Sequence, residues 1–474
     1  MGVALVLRLY RMDAHGLFID EIFSVTVMRG TADPQLIAFD SMRPLYFLLL
    51  KAWTFFGTSE TWMRMFSAVF GVLNVGLVGW LGSLLGGRRT GLIAALLAAL
   101  APLEIVQSQQ LRMYTLGTCF LLLGSIFLVK ALDKTKSAWL FAWVAARVCM
   151  VLTLPLTALI MFSDVIAVWH NRVNRQFARV FVGALILWTV AWSPFLLKVL
   201  AAAKMPYDAW REYIPSPILS EILSFIIQFT CFPGPFQEYE GSLANNTIAG
   251  IYVLFVAPVI LAISVAACYF KPKLRYAVFA LLPLVIMFLW SQVASPLLVT
   301  RYVLFNAPFV YILASVGFCE VWNRFRLLAA GVALIYAFMV SSHIVYVHTH
   351  LMQEDWRSIL TYVKTHQRPD DKVFIWNYHV KYSMSYYYDG PSKIADMDVT
   401  WDDEKNIHVN LKPYVASGAA QRFWLITRVV HPGWTEFYRG YNKYKTHVLQ
   451  EFNVLDYRQV GLADVFLVTL KETR

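Results

Sequence analysis

The sequence predicts a polytopic α-helical membrane protein of about 11 transmembrane helices, followed by a soluble α/β domain. Hydrophobic residues fill 58% of its 474 positions and charged residues fill 15%, whereas soluble domains carry about 45–50% and about 25%, respectively. The apolar residues also gather in long runs that end near residue 347, and a soluble-domain pattern follows. We therefore expect a membrane domain over residues 1–347 and a soluble domain over residues 348–474.

The opening segment, residues 1–10, is apolar but too short to cross a membrane, and it contains Arg8. The number of later crossings requires a helix here that starts inside the cell, so we expect the first helix to be cut short at its N-terminus. A cleaved signal peptide is the less favoured alternative, because no small-residue cleavage site follows the segment.

The apolar runs that follow have the character of membrane helices, each of which needs about 20 mostly apolar residues. They cover residues 62–85, 90–104, 113–132, 138–153, 155–170, 179–199, 247–269, 276–294, 302–321 and 327–347. Basic clusters such as Arg88-Arg89 lie between alternate runs. Basic residues in short loops stay on the cytoplasmic side. The predicted location is thus the cell membrane, with the other loops and the C-terminal domain extracytoplasmic.

The net charge of +11 does not indicate nucleic-acid binding. Outside the C-terminal third, most basic residues stand in short clusters between apolar runs, as in cytoplasmic loops. The five cysteines form no CxxC pair and no metal-ligand spacing with histidine, so neither a disulfide framework nor a zinc site is predicted.

The soluble domain is predicted from a change to amphipathic and alternating patterns. We expect a helix over 355–366, a strand over 372–377 and a second helix directly after it. Two later apolar stretches, "QRFWLITRVV" and "DVFLVTLKE", have the pattern of strands.

The first outer loop, residues 11–61, holds adjacent carboxylates in the stretch "HGLFIDEIFS". Charged groups at membrane depth are rare and usually mark function, which makes Asp20 and Glu21 candidate catalytic residues. The alternative is that they cap a short interfacial helix or pair with an arginine. Later in the loop, the apolar stretch from Tyr46 to Phe56 is expected to form a helix in the membrane interface.

Three arginines are expected at the outer membrane level. Arg43 begins the interfacial stretch, Arg112 precedes an apolar run with Tyr114, and Arg301 stands beside Tyr302. A guanidinium group suits a phosphate through its paired donors. The alternatives are contact with lipid headgroups and, for a single arginine, snorkelling.

Glu104 ends an apolar run in the same second outer loop as Arg112 and Tyr114, which together form a candidate second-loop site. A buried carboxylate needs a partner. We expect Glu104 either to pair with Arg112 or to face the same cavity as Asp20.

The combination of these elements resembles the membrane glycosyltransferases of the GT-C superfamily. The resemblance rests on Asp-Glu after the first helix, "RPLYFLLLKAW", "LGGRRTGLIAALLAALAPLEIVQSQQLRMY" and "RYVLFNAPF", and it extends to "DWRSILTYVK" in the outer domain. The best match is the protein mannosyltransferase-like (family 39-like) group that includes bacterial aminoarabinose lipid A transferases.

The resemblance implies an enzyme of the cell envelope that moves a hexose or pentose from a polyprenyl-phosphate donor to an outer acceptor, with inversion. The acceptor is a glycan, lipid or protein. The family's acid/base residue carries over to Asp20, with Glu21 beside it. Its donor-phosphate contacts carry over to Arg43 and Arg301, with Tyr302.

The sequence departs from the family pattern at two points. Arg43 precedes a single proline where relatives often have His or Lys before two prolines, and Gln110 stands where relatives often have Glu. One carboxylate pair supplies few hard-oxygen ligands, so a divalent cation is only a candidate cofactor. The competing functions are a membrane transporter or lipid flippase and a non-catalytic scaffold.

Overall fold

A computed structural model describes residues 1–134, 138–202, 216–217, 222, 225, 228–230, 275–294, 297–350, 354–376, 378–389, 394–396, 399–401, 407–409, 422–428, 435–460 and 463–471. The chain contacts divide it into two compact units. The first consists of residues 1–12 and 27–349. The second consists of residues 13–26 and 350–474, so a piece of the first outer loop belongs with the C-terminal domain.

The first unit is built from helices. In chain order the helices up to residue 349 are α1 (Gly2–Leu9), α2 (Ile19–Arg29, which begins in the second unit), α3 (Pro34–Asp40), α4 (Pro44–Thr54), α5 (Glu60–Gly86), α6 (Arg88–Leu100), α7 (Pro102–Ser108), α8 (Tyr114–Lys134), α9 (Ala138–Val151), α10 (Ile160–His170), α11 (Arg175–Ala202), α12 (Arg275–Phe279), α13 (Leu282–Val293), α14 (Thr300–Val303), α15 (Ala307–Arg324) and α16 (Arg326–Thr349). Short 3₁₀ turns cover Pro155–Leu159 and Leu304–Asn306.

The apolar helices confirm a polytopic membrane protein. Six stretches within the described residues are long and apolar enough to cross a membrane, or seven if the bent pair α6–α7 counts as one span. Two more of the predicted runs form shorter apolar helices, Ala138–Val151 and Pro155–His170. The predicted run 247–269 lies outside the described residues, and the opening run is the eight-residue α1.

The run 90–104, expected as one helix, is broken. Helix α6 ends at Leu100, α7 starts at Pro102, and the two axes differ by 62°. The cause is Pro102, which has no backbone N–H and disfavours the helical conformation of the preceding residue. Arg8 supplies hydrogen-bond donors at the break, because its guanidinium donates to the carbonyls of Ala98 at 3.0 Å and Ala99 at 3.1 Å.

A buried ion pair links the central helices of the first unit. Arg147 on α9 and Asp164 on α10 are both completely buried. They are joined by two hydrogen bonds, Nε to Oδ2 at 2.8 Å and Nη2 to Oδ1 at 3.1 Å. Trp143 and Tyr276 each donate one more hydrogen bond to the carboxylate. With all these partners the pair meets the conditions under which buried charges are tolerated.

The second unit contains a mixed five-stranded sheet of order β2-β1-β5-β7-β6. Its strands are β1 (Lys372–Trp376), β2 (Ile394–Asp396), β5 (Arg422–Arg428), β6 (Phe452–Val460) and β7 (Ala463–Leu470), and a small hairpin pairs β3 (Val399–Trp401) with β4 (Ile407–Val409). The strand β1 runs parallel to β2 and β5, whereas β7 runs antiparallel to β5 and β6. The helices are α17 (Trp356–His366), α18 (Tyr378–Tyr387) and α19 (Thr435–Glu451).

The predicted elements of this domain are confirmed. The helix expected over 355–366 is α17, the strand over 372–377 is β1, and the two apolar stretches are β5 and β7. The core lies between the sheet and α19, where Phe374, Phe423 and Phe466 pack with Tyr444 and Val448.

Candidate active site

The acidic pair opens helix α2, and its two carboxylates have different surroundings. Oε2 of Glu21 accepts the backbone N–H of Phe18, just before the helix, at 3.1 Å. This bond from the third helical residue back to the N-cap residue is half of a capping box. Glu21 is completely buried, whereas Asp20 is partly exposed in the same turn. The capping alternative therefore describes Glu21, and Asp20 is the acid of the pair with solvent access.

The backbone before the acidic pair is bonded to the C-terminal part of its own unit. The N–H of Gly16 donates to Oδ1 of Asp355 at 2.9 Å, and the N–H of Leu17 donates to the hydroxyl of Tyr387 at 2.5 Å. Asp355 is also the N-cap of α17, where it accepts the N–H of Ser358. Sequence reasoning did not identify this role of Asp355.

The carboxyl of Asp355 is held in its ionised form. Burial would raise its pKa, but the nearby His15 and hydrogen bonds from Ser358 and Gly16 together keep the pKa well below its usual value. A carboxylate with several donors around it is strongly favoured over the neutral acid.

Arg43 stands at the N-terminus of α4, where it forms an ion pair with the buried carboxylate of Asp40. Its guanidinium also lies 5.7 Å from the ring centre of Phe39. The Nε atom is buried and has no hydrogen-bond partner within the described ranges of the chain. Buried donors in folded proteins almost always have a partner, so a ligand oxygen would complete the hydrogen bonding of Arg43.

The segments that contain Arg43 and Arg112 are joined by hydrogen bonds to backbone carbonyls. The hydroxyl of Tyr46, three residues after Arg43, donates to the carbonyl of Leu111 at 3.1 Å. The hydroxyl of Ser67 on α5 donates to the carbonyl of Arg112 itself at 3.2 Å. The first turn of α4 and helix α5 are therefore both hydrogen-bonded to the loop before α8.

Glu104 lies buried in the first turn of α7, where its charge interacts with that of Arg8. Arg8 also donates from Nε to Ser108 Oγ at 3.2 Å. Tyr114, the first residue of α8, is buried as well. Sequence analysis proposed Arg112 or a shared cavity with Asp20 for Glu104 and missed Arg8. The only signal for this pairing in the sequence was that Arg8 is a single charged residue inside an apolar run.

Arg301 and Tyr302 belong to the short helix α14, and both are partly exposed. The guanidinium of Arg301 lies 5.6 Å from the ring centre of Tyr302. The preceding Thr300 donates to Gln228 at 2.8 Å, and the following 3₁₀ turn packs against α8. The segments that contain these three arginines, Arg43, Arg112 and Arg301, thus all lie beside α8 or the loop before it. That they act together with Asp20 stays a prediction.

The described carboxylates offer few ligands to a metal ion. Among the residues described, no three His, Cys, Asp or Glu side chains are grouped as a metal ion would require. Glu21 already caps its helix, so the acidic pair offers few oxygen ligands to a cation that takes about six or more.

No protein-family model matches the chain, and no curated protein matches it either. Its structure is similar to solved structures of ArnT from Cupriavidus metallidurans. The apo form has a TM-score of 0.58 at 15% identity, and the form bound to undecaprenyl phosphate has a TM-score of 0.54 at 13% identity. Both cover 98% of this chain and 96% of theirs.

A further likeness is to the archaeal oligosaccharyltransferase AglB from Archaeoglobus fulgidus, in complex with an inhibitory peptide and a dolichol-phosphate. It has a TM-score of 0.50 at 12% identity and covers 90% of this chain and 69% of AglB. ArnT, an aminoarabinose lipid A transferase, and AglB are both GT-C proteins. The chain therefore has the GT-C fold, with membrane helices followed by a sheet domain.

Proposed function

We propose that the chain is an integral membrane glycosyltransferase that takes a sugar from a polyprenyl-phosphate donor. The observation that supports this most is the GT-C fold over nearly the whole chain, shared with a protein crystallised with undecaprenyl phosphate. The same likeness favours a transferase over the transporter or flippase alternative. We place the transfer on the extracytoplasmic face of a bacterial plasma membrane, where the acceptor is a glycan, lipid or protein.

Asp20 is the proposed base. The acceptor oxygen bonds to the anomeric carbon while the bond from that carbon to the phosphate oxygen breaks, so the configuration inverts. The proton of the attacking hydroxyl passes to Asp20, a contribution of about 10²–10⁴-fold for a positioned base. The partial exposure of Asp20 in the first helical turn supports this role, because it is the acid of the pair that an acceptor hydroxyl can reach from solvent.

Arg43 and Arg301, with Tyr302 beside the latter, are the proposed contacts of the donor phosphate. The departing phosphate takes the electron pair of the broken bond and gains negative charge. Fixed positive charges in a water-poor site stabilise such a group more than water does. The ion pair with Asp40 supports this assignment for Arg43, since it orients the guanidinium before the donor binds.

The test is a transfer assay with the purified chain in proteoliposomes. Polyprenyl phosphates that carry different hexoses and pentoses are supplied as donors, with envelope lipids, glycans and peptides as acceptors. We expect free polyprenyl phosphate and a glycosylated acceptor with at least one donor, measured by mass spectrometry. The Asp20→Asn variant provides the background.

Two results would overturn the proposal. In the first, every donor stays intact. In the second, the lipid changes leaflet without loss of its sugar, which would indicate a flippase.

A further inference from the structure

The segment before Asp20 is bonded to the α/β domain at three backbone groups. The carbonyl of Asp13 accepts from Arg357 Nη2 at 2.8 Å. The N–H groups of Gly16 and Leu17 donate to Asp355 and Tyr387, as described above. Because these contacts are to main-chain atoms, they fix the path of the chain itself and do not depend on the side chains of the segment.

Gly16 permits this close approach. A Cβ atom at this position would lie 2.5 Å from Cβ of Arg357 and 2.9 Å from Oδ1 of Asp355. Real Cβ atoms essentially never come so near to other atoms. The glycine therefore allows the loop to lie directly on the first turn of α17.

Asp355 serves two elements at once. Oδ1 accepts the N–H groups of Gly16 and Ser358, at 2.9 Å and 3.1 Å, while Oδ2 accepts the hydroxyl of Ser358 at 2.6 Å. Asp355 is buried, and His15 Nδ1 lies 3.8 Å from its Oδ2. A single carboxylate therefore starts α17 and also holds the loop that leads to Asp20.

A contact after Asp20 involves the same domain. The ring of Phe23 on α2 meets the ring of Tyr382 edge-on, with 5.0 Å between their centres. Tyr382 and Tyr387 both belong to α18. The contacts at Leu17 and Phe23 lie three residues before and three residues after Asp20, so this acid is held on both sides.

We propose that Asp355 and Tyr387 are positioning residues, through which the α/β domain sets the place of Asp20. This inference rests on the proposed function, in which Asp20 is the base. A displacement of the reacting group by about 1 Å can cost about 10²-fold in rate. The two residues act through the backbone of the segment and touch no reacting atom.

The experiment compares four variants of the full-length protein. Asp355→Ala and Tyr387→Phe each remove one partner of the segment, and Tyr387→Phe leaves the cap of α17 intact. Ser358→Ala is the matched control, because it removes a hydrogen bond of Asp355 but keeps the bond to Gly16. Asp355→Asn is the conservative variant, since its oxygen can still accept the N–H of Gly16.

Two readouts are needed. Hydrogen exchange of the peptide over residues 13–18 should become faster on the order of 10-fold in Asp355→Ala and Tyr387→Phe, because each loses one hydrogen bond. Their kcat for sugar transfer should fall by about 10-fold to 100-fold, with an unchanged KM for the lipid donor. Ser358→Ala should match the wild type in both readouts, and Asp355→Asn should recover most of the kcat.

The outcomes separate the inference from the proposed function. Unchanged exchange, or faster exchange with normal kcat in Tyr387→Phe, would overturn the positioning role. An equal loss of kcat in Ser358→Ala would also overturn it, because a general effect of the α17 cap would then explain the data. If the wild type itself transfers no sugar, the proposed function fails, and the exchange data alone decide whether the domain holds the segment.

Discussion

Oε2 of Glu21 accepts the N–H of Phe18 at 3.1 Å, so one of two adjacent acids has a defined structural task in the first turn of α2. This predicts opposite results for two substitutions that each remove one charge. Asp20→Asn should lower kcat by about 10²–10⁴-fold because the base is lost. Glu21→Gln keeps an oxygen that can accept the Phe18 N–H, and it should retain most of the activity. Both are measured by initial rates of sugar transfer, and the reverse order would assign the base to Glu21.

Donor binding is predicted to depend on Arg301. Arg301→Gln should raise the KM for the polyprenyl-phosphate donor by about 10-fold to 100-fold, since hydrogen bonds to charged groups contribute about 1.5–3 kcal/mol. Lys51→Gln removes an exposed cation from α4 and is the matched control. A titration of donor against initial rate measures both variants. Equal KM values in wild type and Arg301→Gln would exclude Arg301 as a phosphate contact.

The hydrogen bond from Tyr46 to Leu111 predicts a moderate effect on stability. Tyr46→Phe removes this bond at a site that is almost completely buried. The variant should lose about 0.5–1.5 kcal/mol, the net contribution of a typical intramolecular hydrogen bond. Thermal unfolding in detergent measures this loss. An unchanged unfolding temperature would show that the first turn of α4 does not depend on the loop before α8.

The pair of Arg147 and Asp164 predicts a larger effect. Asp164→Ala leaves a buried guanidinium without its counter-ion, and such a change costs about 3–5 kcal/mol. The double variant Arg147→Met with Asp164→Leu should regain much of this stability, because no buried charge remains. As the control, Asp389→Ala breaks an exposed pair with Lys364 and should change little, since solvent screens that pair. Thermal unfolding of the four proteins compares them directly.

Acid should weaken the α/β domain through Asp355. Its pKa is lowered in the folded protein, so its charged form stabilises the fold at any pH above the unfolded value of about 4. This stabilisation is lost as the pH falls below about 4 towards the folded pKa. Unfolding curves at a series of pH values should show that acid lowers the free energy of unfolding less in Asp355→Asn than in the wild type. Parallel curves would contradict a contribution from Asp355.

Much of the fold follows from local patterns in the sequence. Apolar runs and basic loops predict the membrane helices, because length and hydropathy alone decide whether a helix can cross a bilayer. The strands β1, β5 and β7 are equally visible, since they are continuous apolar runs. Helix α19 and strand β6 were not predicted. Their described residues alternate between exposed and buried positions, and the residues that pack in the core, such as Tyr444, Val448 and Phe452, are few and separated in the sequence.

The candidate site was only partly predictable. The residue types and the acidic pair are visible in the sequence, but the different tasks of Asp20 and Glu21 depend on where α2 begins. The pairing of Arg43 with Asp40 at a spacing of three residues was a readable signal that was missed. The bond between Gly16 and Asp355 spans 339 positions, and no periodicity connects residues that far apart.

The grouping of residues 13–26 with the last part of the chain has a consequence for biogenesis. Gly16 and Leu17 are synthesised long before their partners Asp355 and Tyr387, which follow 339 and 370 positions later in the chain. Contacts that are so distant in sequence form late, after the intervening chain has been ordered. On the proposed function, the chain would therefore stay inactive until the part that contains Asp355 and Tyr387 has been synthesised and folded.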